Sequence, residues 1–126
     1  MGSDETAPVR GKEACRAAKL LGASFHKGFS NDLEIFYDER HLRKLAAIVR
    51  KVAPDVVLTH SPQDYMEDHV NVCRLAVTAA FTHSMPNFLS EPPVDPPYKE
   101  VTVYHAMPYG LRDNLRKRVE AGLFVD

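Results

Sequence analysis

The stretch Asp55-Val56-Val57-Leu58-Thr59 constrains this chain more than any other feature. It is a β-branched apolar run without polar alternation, the signature of a strand covered on both faces. Helical patterns flank it. On its amino-terminal side Leu42, Leu45, Ala46, Val49 and Val52 recur at helical spacing, with Asp38 placed to cap the start and Pro54 to close the end. On its carboxyl side a turn, His60-Ser61-Pro62-Gln63-Asp64, leads into a helix from Tyr65 to about His83. The apolar face of that helix is Val70, Cys73, Ala76, Val77, Ala80 and Phe81. Helix, buried strand and helix in succession is the pattern of a parallel α/β sheet. The run therefore predicts Val56, Val57 and Leu58 almost fully buried in a parallel strand, with Val70, Cys73, Val77 and Ala80 covering it.

The rest of the chain fits around this unit. Residues 7–21 carry a helical pattern with Pro8 in the first turn, Ala14, Ala17, Ala18 and Leu21 on one side, and Gly22 as the stop. Ser24-Phe25-His26 is a short extended stretch, broken by residues 28–31. Pro86, Pro92, Pro93, Pro96 and Pro97 mark residues 84–98 as an extended surface loop. Residues 100–105, with Val101, Val103 and Tyr104, predict a second strand, and residues 111–119 a short exposed helix. The end, Leu123-Phe124-Val125-Asp126, looks like the start of another strand. With few strands and such an ending, residues 1–126 read as one α/β domain truncated at both ends. An open sheet edge of this kind favours homo-oligomers or marginal folding of the isolated chain.

Composition removes several classes of function. The 16 basic and 17 acidic residues leave a net charge of -1, which gives no field to steer a nucleic acid or an anionic membrane. No apolar run approaches the ~18 residues a membrane span requires, and Met1-Gly2-Ser3-Asp4-Glu5 lacks the regions of a signal peptide. Cys15 and Cys73 have no CxxC spacing and read as buried thiols in a reducing compartment, so the expected location is the cytoplasm. The chain has no Gly-rich phosphate loop and no nucleophile elbow.

The chemistry-bearing residues concentrate in one place. Ligands of open α/β sheets bind beyond the carboxyl ends of the strands. His60, Ser61, Asp64, Asp68 and His69 all fall between the end of the buried strand and the first turn of the next helix. If that helix begins near Pro62 or Gln63, Asp64 and Asp68 share a face. Asp68 and His69 then point about 100° apart and can serve different partners. Imidazole and carboxylate are ordinary ligands of zinc or iron, and a carboxylate beside a ligand histidine commonly orients it. The competing structural explanation is that an aspartate near a helix start is favoured by the macrodipole and by capping alone. Two or three ligands from one short segment do not complete a metal site. Arg10 is either a contact for a hydroxyl or anionic group of a ligand or a solvated arginine, and His105, at the end of the second strand, stands at a catalytic position. His26, His41 and His83 lack acidic company and read as surface or packing residues, and Arg112, Arg116, Lys117 and Arg118 as a solvated helix face.

Two segments resemble the LmbE-like zinc deacetylases, a family that includes the N-acetylglucosaminyl-phosphatidylinositol deacetylases, or PIG-L proteins. One is Arg10-Gly11-Lys12-Glu13 followed by Ala17 and Leu21-Gly22, similar to the family's Arg-x-x-Glu helix ending in Leu-Gly. The other is Pro54 through His60, then Asp64, then Asp68-His69, similar to its strand after Pro-Asp that leads to an Asp and an Asp-His pair. The stretches 103–108 and 124–126 also look like later parts of such proteins. The resemblance implies a Rossmann-like three-layer fold with a mostly parallel sheet, and a zinc hydrolase that removes acetyl from an N-acylated sugar or glycoconjugate. In that reading His69 is the zinc ligand, Asp64, Asp68 and His105 are catalytic, and Arg10 and His60 contact substrate.

Two departures from the family pattern stand out. The family's His-Pro-Asp-Asp-Glu string, which supplies two more zinc ligands and a carboxylate base, does not occur. The histidine often found three residues before the ligand histidine is replaced by Met66, whose thioether neither donates a proton nor stabilises an oxyanion. The zinc site of this chain is therefore expected to be incomplete and the chain by itself inactive. A different class, a non-catalytic carbohydrate- or metabolite-binding α/β module that has lost the metal, accommodates both departures. A generic α/β domain with a structural Asp-His pair predicts no metal at all.

Overall fold

The computed structural model describes residues 6–126. The chain divides into two compact units, one ending at Glu34 and one running from Ile35 to Asp126. In the first, α1 (Thr6–Leu20) closely follows the expected helix but buries none of its side chains, so Cys15, expected to be a buried thiol, is exposed. It ends where Gly22 enters the left-handed region at φ +67, a conformation that costs glycine nothing. Ala23 N–H then reaches back to the Ala18 carbonyl at 2.8 Å. Ser24-Phe25-His26 forms no strand.

The second unit contains α2 (Glu39–Val52), β1 (Val56–Thr59), α3 (Glu67–Thr82) and β2 (Thr102–His105). Asp38 caps α2, its carboxylate accepting the His41 N–H at 2.8 Å. The helix closes with Ala53 in the left-handed region at φ +46, and Pro54 prevents its continuation. β1 and β2 are parallel, with Val56 opposite Thr102 and Thr59 opposite His105. Hydrogen bonds from Thr102 N–H to Asp55 O (2.9 Å) and from Ala106 N–H to Thr59 O (2.8 Å) extend the pairing at both ends. The parallel α/β arrangement is the one the sequence predicts, and its register sets both carboxyl ends level.

Burial in β1 departs from expectation. Leu58 is 70% and Val56 53% exposed, while Thr59 is buried and Val57 half-buried. Side chains alternate along a strand. Val57 and Thr59 face α3, which packs on the sheet, whereas α2 packs on α3 and touches neither strand. Among the described residues of this unit no element covers the face that carries Val56 and Leu58.

The same layering rotates the buried surface of α3. Cys73, Leu75, Ala76, Ala79 and Ala80 are buried, whereas Val77 and Phe81, expected on the covering face, are exposed. A helix held between another helix and a sheet buries a broad face, and the small Ala46 and Ala47 of α2 allow close approach. The expected helix over residues 111–119 is also absent. A short 3-10 turn, Tyr109–Leu111, is followed by a loop in which Asp113 accepts the N–H groups of Leu115 and Lys117, and Arg112 pairs with Arg118 in an isolated bridge. The aspartate offers those donors an alternative to a helix ladder. Residues 124–126 form no strand.

Arg50 organises the proline-rich loop. Arg50 is 6% exposed, and its guanidinium donates to the carbonyls of Thr82, His83, Met85, Phe88 and Val94 at 2.7–3.3 Å. Proline has no N–H, so a segment rich in it cannot supply the donors its carbonyls need. Buried His83, bonded to the Ala80 and Lys99 carbonyls, ties the end of α3 to the approach to β2. No helix among the described residues is long and apolar enough to cross a membrane.

Candidate functional site

The carboxyl edge of the sheet carries the site. β1 stops at Thr59, and the chain turns through His60 to Met66 before α3 begins at Glu67, two residues later than the sequence pattern predicts. The delay has a local cause. Asp64, 6% exposed, accepts the Met66 N–H at 3.0 Å through Oδ1, a side-chain turn that keeps the backbone out of the helix. Asp64 and Asp68 therefore do not share a helical face. Asp68 lies buried in the first turn of α3, while Asp64 precedes the helix.

The other Asp64 oxygen meets His69. Oδ2 lies 3.1 Å from His69 Nδ1, and an ionised carboxylate only accepts, so Nδ1 carries the proton and donates it. That fixes the tautomer and leaves Nε2 with its lone pair. Burial works to raise the Asp64 pKa, but the Met66 N–H, the His69 hydrogen bond and the nearby histidines outweigh it and hold the carboxyl below its ordinary value. His60 stacks on His69 with ring centroids 4.0 Å apart and planes 4° from parallel. Burial, then the proximity of His69, pushes the His60 pKa down, only partly opposed by Asp64. A His60 ring so disposed is neutral near pH 7 and has a lone pair to offer.

His105 closes the edge from β2. Its Nδ1 lies 2.9 Å from the His60 carbonyl, which makes it a donor there, and 3.5 Å from Cys73 Sγ. Burial pushes the Cys73 thiol up, so it stays a protonated, unreactive packing group. Thr59, which precedes His60, has the single buried side-chain polar atom without a partner among the described residues.

Of the residues singled out in the sequence, His60, Asp64 and His69 each offer a donor atom within 4.8 Å of the other two. His105 reaches the His60 backbone rather than the three donors themselves. Arg10 belongs to the first unit, where its side chain is 83% exposed and bonds Glu13 at 3.4 Å. Met66 stands at the amino-terminal boundary of α3 and caps nothing with its side chain. His41, read from sequence as lacking acidic company, bonds the Asp38 carboxylate at 2.8 Å. Arg50 escaped the sequence reading because it interrupts the apolar pattern of α2. The available signal was its spacing of four from Ala46 together with a downstream loop short of N–H donors.

The sequence profile of the family described as PIG-L, GlcNAc-PI de-N-acetylase, matches residues 1–81. The chain belongs to the PIG-L family. Among its relatives, a 4-oxalmesaconate hydratase of Pseudomonas putida is 39% identical over 72 residues, 56% of this chain and 28% of that protein. A crystal structure of GalB, the 4-carboxy-2-hydroxymuconate hydratase of Pseudomonas putida, superposes with a TM-score of 0.64 at 33% identity, covering 79% of this chain and 40% of the other. A conserved protein from Thermus thermophilus superposes with a TM-score of 0.63 at 29% identity, covering 81% and 44%. The chain thus spans less than half the length of these PIG-L relatives.

The donor set fits a borderline divalent ion such as zinc. Imidazole and carboxylate are the nitrogen and oxygen ligands this class accepts. Asp64 is committed through both oxygens, to Met66 and to His69, which suits the carboxylate that orients a ligand histidine rather than one that binds the ion.

Proposed function

We propose that this chain forms part of an enzyme that uses a divalent metal, zinc first among the candidates, to add water to a small-molecule substrate. The observation that carries the reading is the Asp64–His69 pair, a carboxylate fixing the tautomer of a histidine at the carboxyl edge of a parallel sheet. His69 would hold the ion through Nε2. When bound, the ion lowers the pKa of water toward ~7 and polarises the electrophile. Asp64 keeps the His69 ring oriented. His105, whose Nδ1 proton is engaged by the His60 carbonyl, presents Nε2 as an acceptor for a proton from substrate or water. The resemblance of the first segment assigns Arg10 to a hydroxyl or anionic group of the substrate.

Two electrophiles suit such a site. The sequence resemblance implies the acetyl carbon of an N-acylated amino sugar, whose amine must be protonated as it leaves. Met66 stands where an imidazole would serve that step, and a thioether cannot. Hydration of a polarised double bond expels no amine. Met66 and the names of the two Pseudomonas putida relatives therefore favour an unsaturated carboxylic acid as substrate. Parallel assays separate the readings: acetate release from N-acetylglucosamine derivatives, and loss of ultraviolet absorbance by 4-carboxy-2-hydroxymuconate, each with the zinc-loaded enzyme of which this chain forms part. Hydration without acetate release is expected. Acetate release alone would return the chain to amide hydrolysis, and Met66→His should then raise that turnover at unchanged metal content.

A further inference from the structure

The stacked partner of His69 has no place in the site described so far. We infer that His60 is a positioning residue: its ring, lying flat against the His69 ring, fixes the plane in which the free His69 nitrogen points. The inference rests on the reading of His69 as a metal ligand and adds to it a second restraint, drawn from the end of β1.

Three observations carry it. Asp64 alone leaves the His69 ring some freedom. Its one hydrogen bond, 3.1 Å to Nδ1, decides which nitrogen bears the proton, but χ2 of a histidine is a broad torsion and a hydrogen bond weakens steeply only below ~120°. The His60 ring removes that freedom. The two centroids are 4.0 Å apart and the planes 4° from parallel, so a swing of His69 about χ2 drives its edge into the face of His60. His60 is itself anchored: it follows Thr59, which pairs with His105 in the sheet, and its carbonyl accepts the His105 Nδ1 proton at 2.9 Å. The stack also divides the roles. Lone pairs in the planes of two parallel rings do not converge on one ion, so the metal is left to His69 Nε2. With one face covered, the His69 side chain still keeps 32% of its surface open, which gives an ion access. A ligand nitrogen already aimed loses little torsional freedom when the ion binds, and affinity gains accordingly.

The test compares the whole 126-residue chain with His60→Ala and with His60→Phe, which keeps a flat ring and has no ring nitrogen. Long-range nitrogen–proton spectra of the metal-free chain report on His69 directly. One Nδ1–H tautomer is expected, with Overhauser contacts between the ring protons of His69 and His60. Two exchanging His69 states, or no contact between the rings, overturns the inference in the unmodified chain, where no variant has to fold. His60→Ala should mix the His69 tautomers and speed solvent exchange of the Nδ1 proton at unchanged far-ultraviolet circular dichroism. His60→Phe should restore the parental pattern. In the enzyme of which this chain forms part, zinc affinity measured by competition with a chelator should fall about tenfold in His60→Ala, the lower end of what losing an orienting partner costs. It should stay parental in His60→Phe. A His60→Phe no better than His60→Ala shows that a His60 nitrogen is what matters and overturns the bracing role. So does a His60→Ala with the parental His69 spectrum and zinc affinity. An enzyme that takes up no zinc refutes the metal reading instead, and the metal-free spectra still decide whether His60 holds the His69 plane.

Discussion

The Asp64 carboxylate bonds the Met66 N–H at 3.0 Å with one oxygen and His69 Nδ1 at 3.1 Å with the other. One buried side chain therefore sets both where α3 begins and how the candidate ligand is oriented. Asp64→Asn keeps the shape and can still accept the Met66 N–H, but loses the charge that fixes the His69 tautomer. Zinc affinity should fall ~10–100-fold with the helical content unchanged. Calorimetric titration alongside far-ultraviolet circular dichroism measures both, and an Asp64→Asn variant that binds zinc as the parent does would remove Asp64 from the site.

Arg50 predicts a large stability effect far from any chemistry. Its removal takes a donor from five carbonyls, of which those of Thr82 and Met85 keep the Met85 and Phe88 N–H, at about 1–3 kcal/mol for each of the others that stays buried and unsatisfied. Arg50→Met should cost at least about 3 kcal/mol in urea unfolding, because water re-enters and satisfies only some of them. Arg50→Lys should rescue little, since one ammonium has three donors and no fork.

The Asp38 cap supplies a pH dependence. The His41 N–H first, then the His41 ring, hold the Asp38 carboxyl below its ordinary value of 3.8. A folded-state pKa below the unfolded one means the contribution is fully present above the unfolded value and drains as pH falls through the folded one. Melting temperatures at about pH 5 and about pH 3 should therefore converge in Asp38→Asn relative to the parent, because asparagine keeps the cap and removes the titration. A parent and variant with parallel acid limbs would contradict this.

Leu58 and Val56 predict association. An exposed apolar strand face beside an unpaired edge is a surface other chains can cover. Sedimentation velocity should show the chain self-associating with rising concentration, and Leu58→Lys should reduce it. Because Leu58 is 70% exposed, that substitution should change unfolding stability by less than about 0.5 kcal/mol.

The sequence by itself determined α1, α2, β1, α3 and β2 and their order, though not the path of the chain beyond β2. A cap at Asp38, a stop at Pro54, an unbroken β-branched run and a period of 3.6 are local signals, set by backbone sterics and hydrogen bonding within a few residues. It also determined where chemistry would concentrate, since a strand's carboxyl end followed by His60, Asp64 and His69 is legible without a partner. Only the tertiary structure decided what each face meets. Val56 and Leu58 have the same composition signal as Val57, yet they lie on the side that α3 does not cover, and no residue in a strand encodes what packs against it. The pairing of His60 with His69 and the anchoring of His60 by His105 were likewise invisible. They depend on β1 and β2 lying level at one edge, which long-range register sets and local spacing does not.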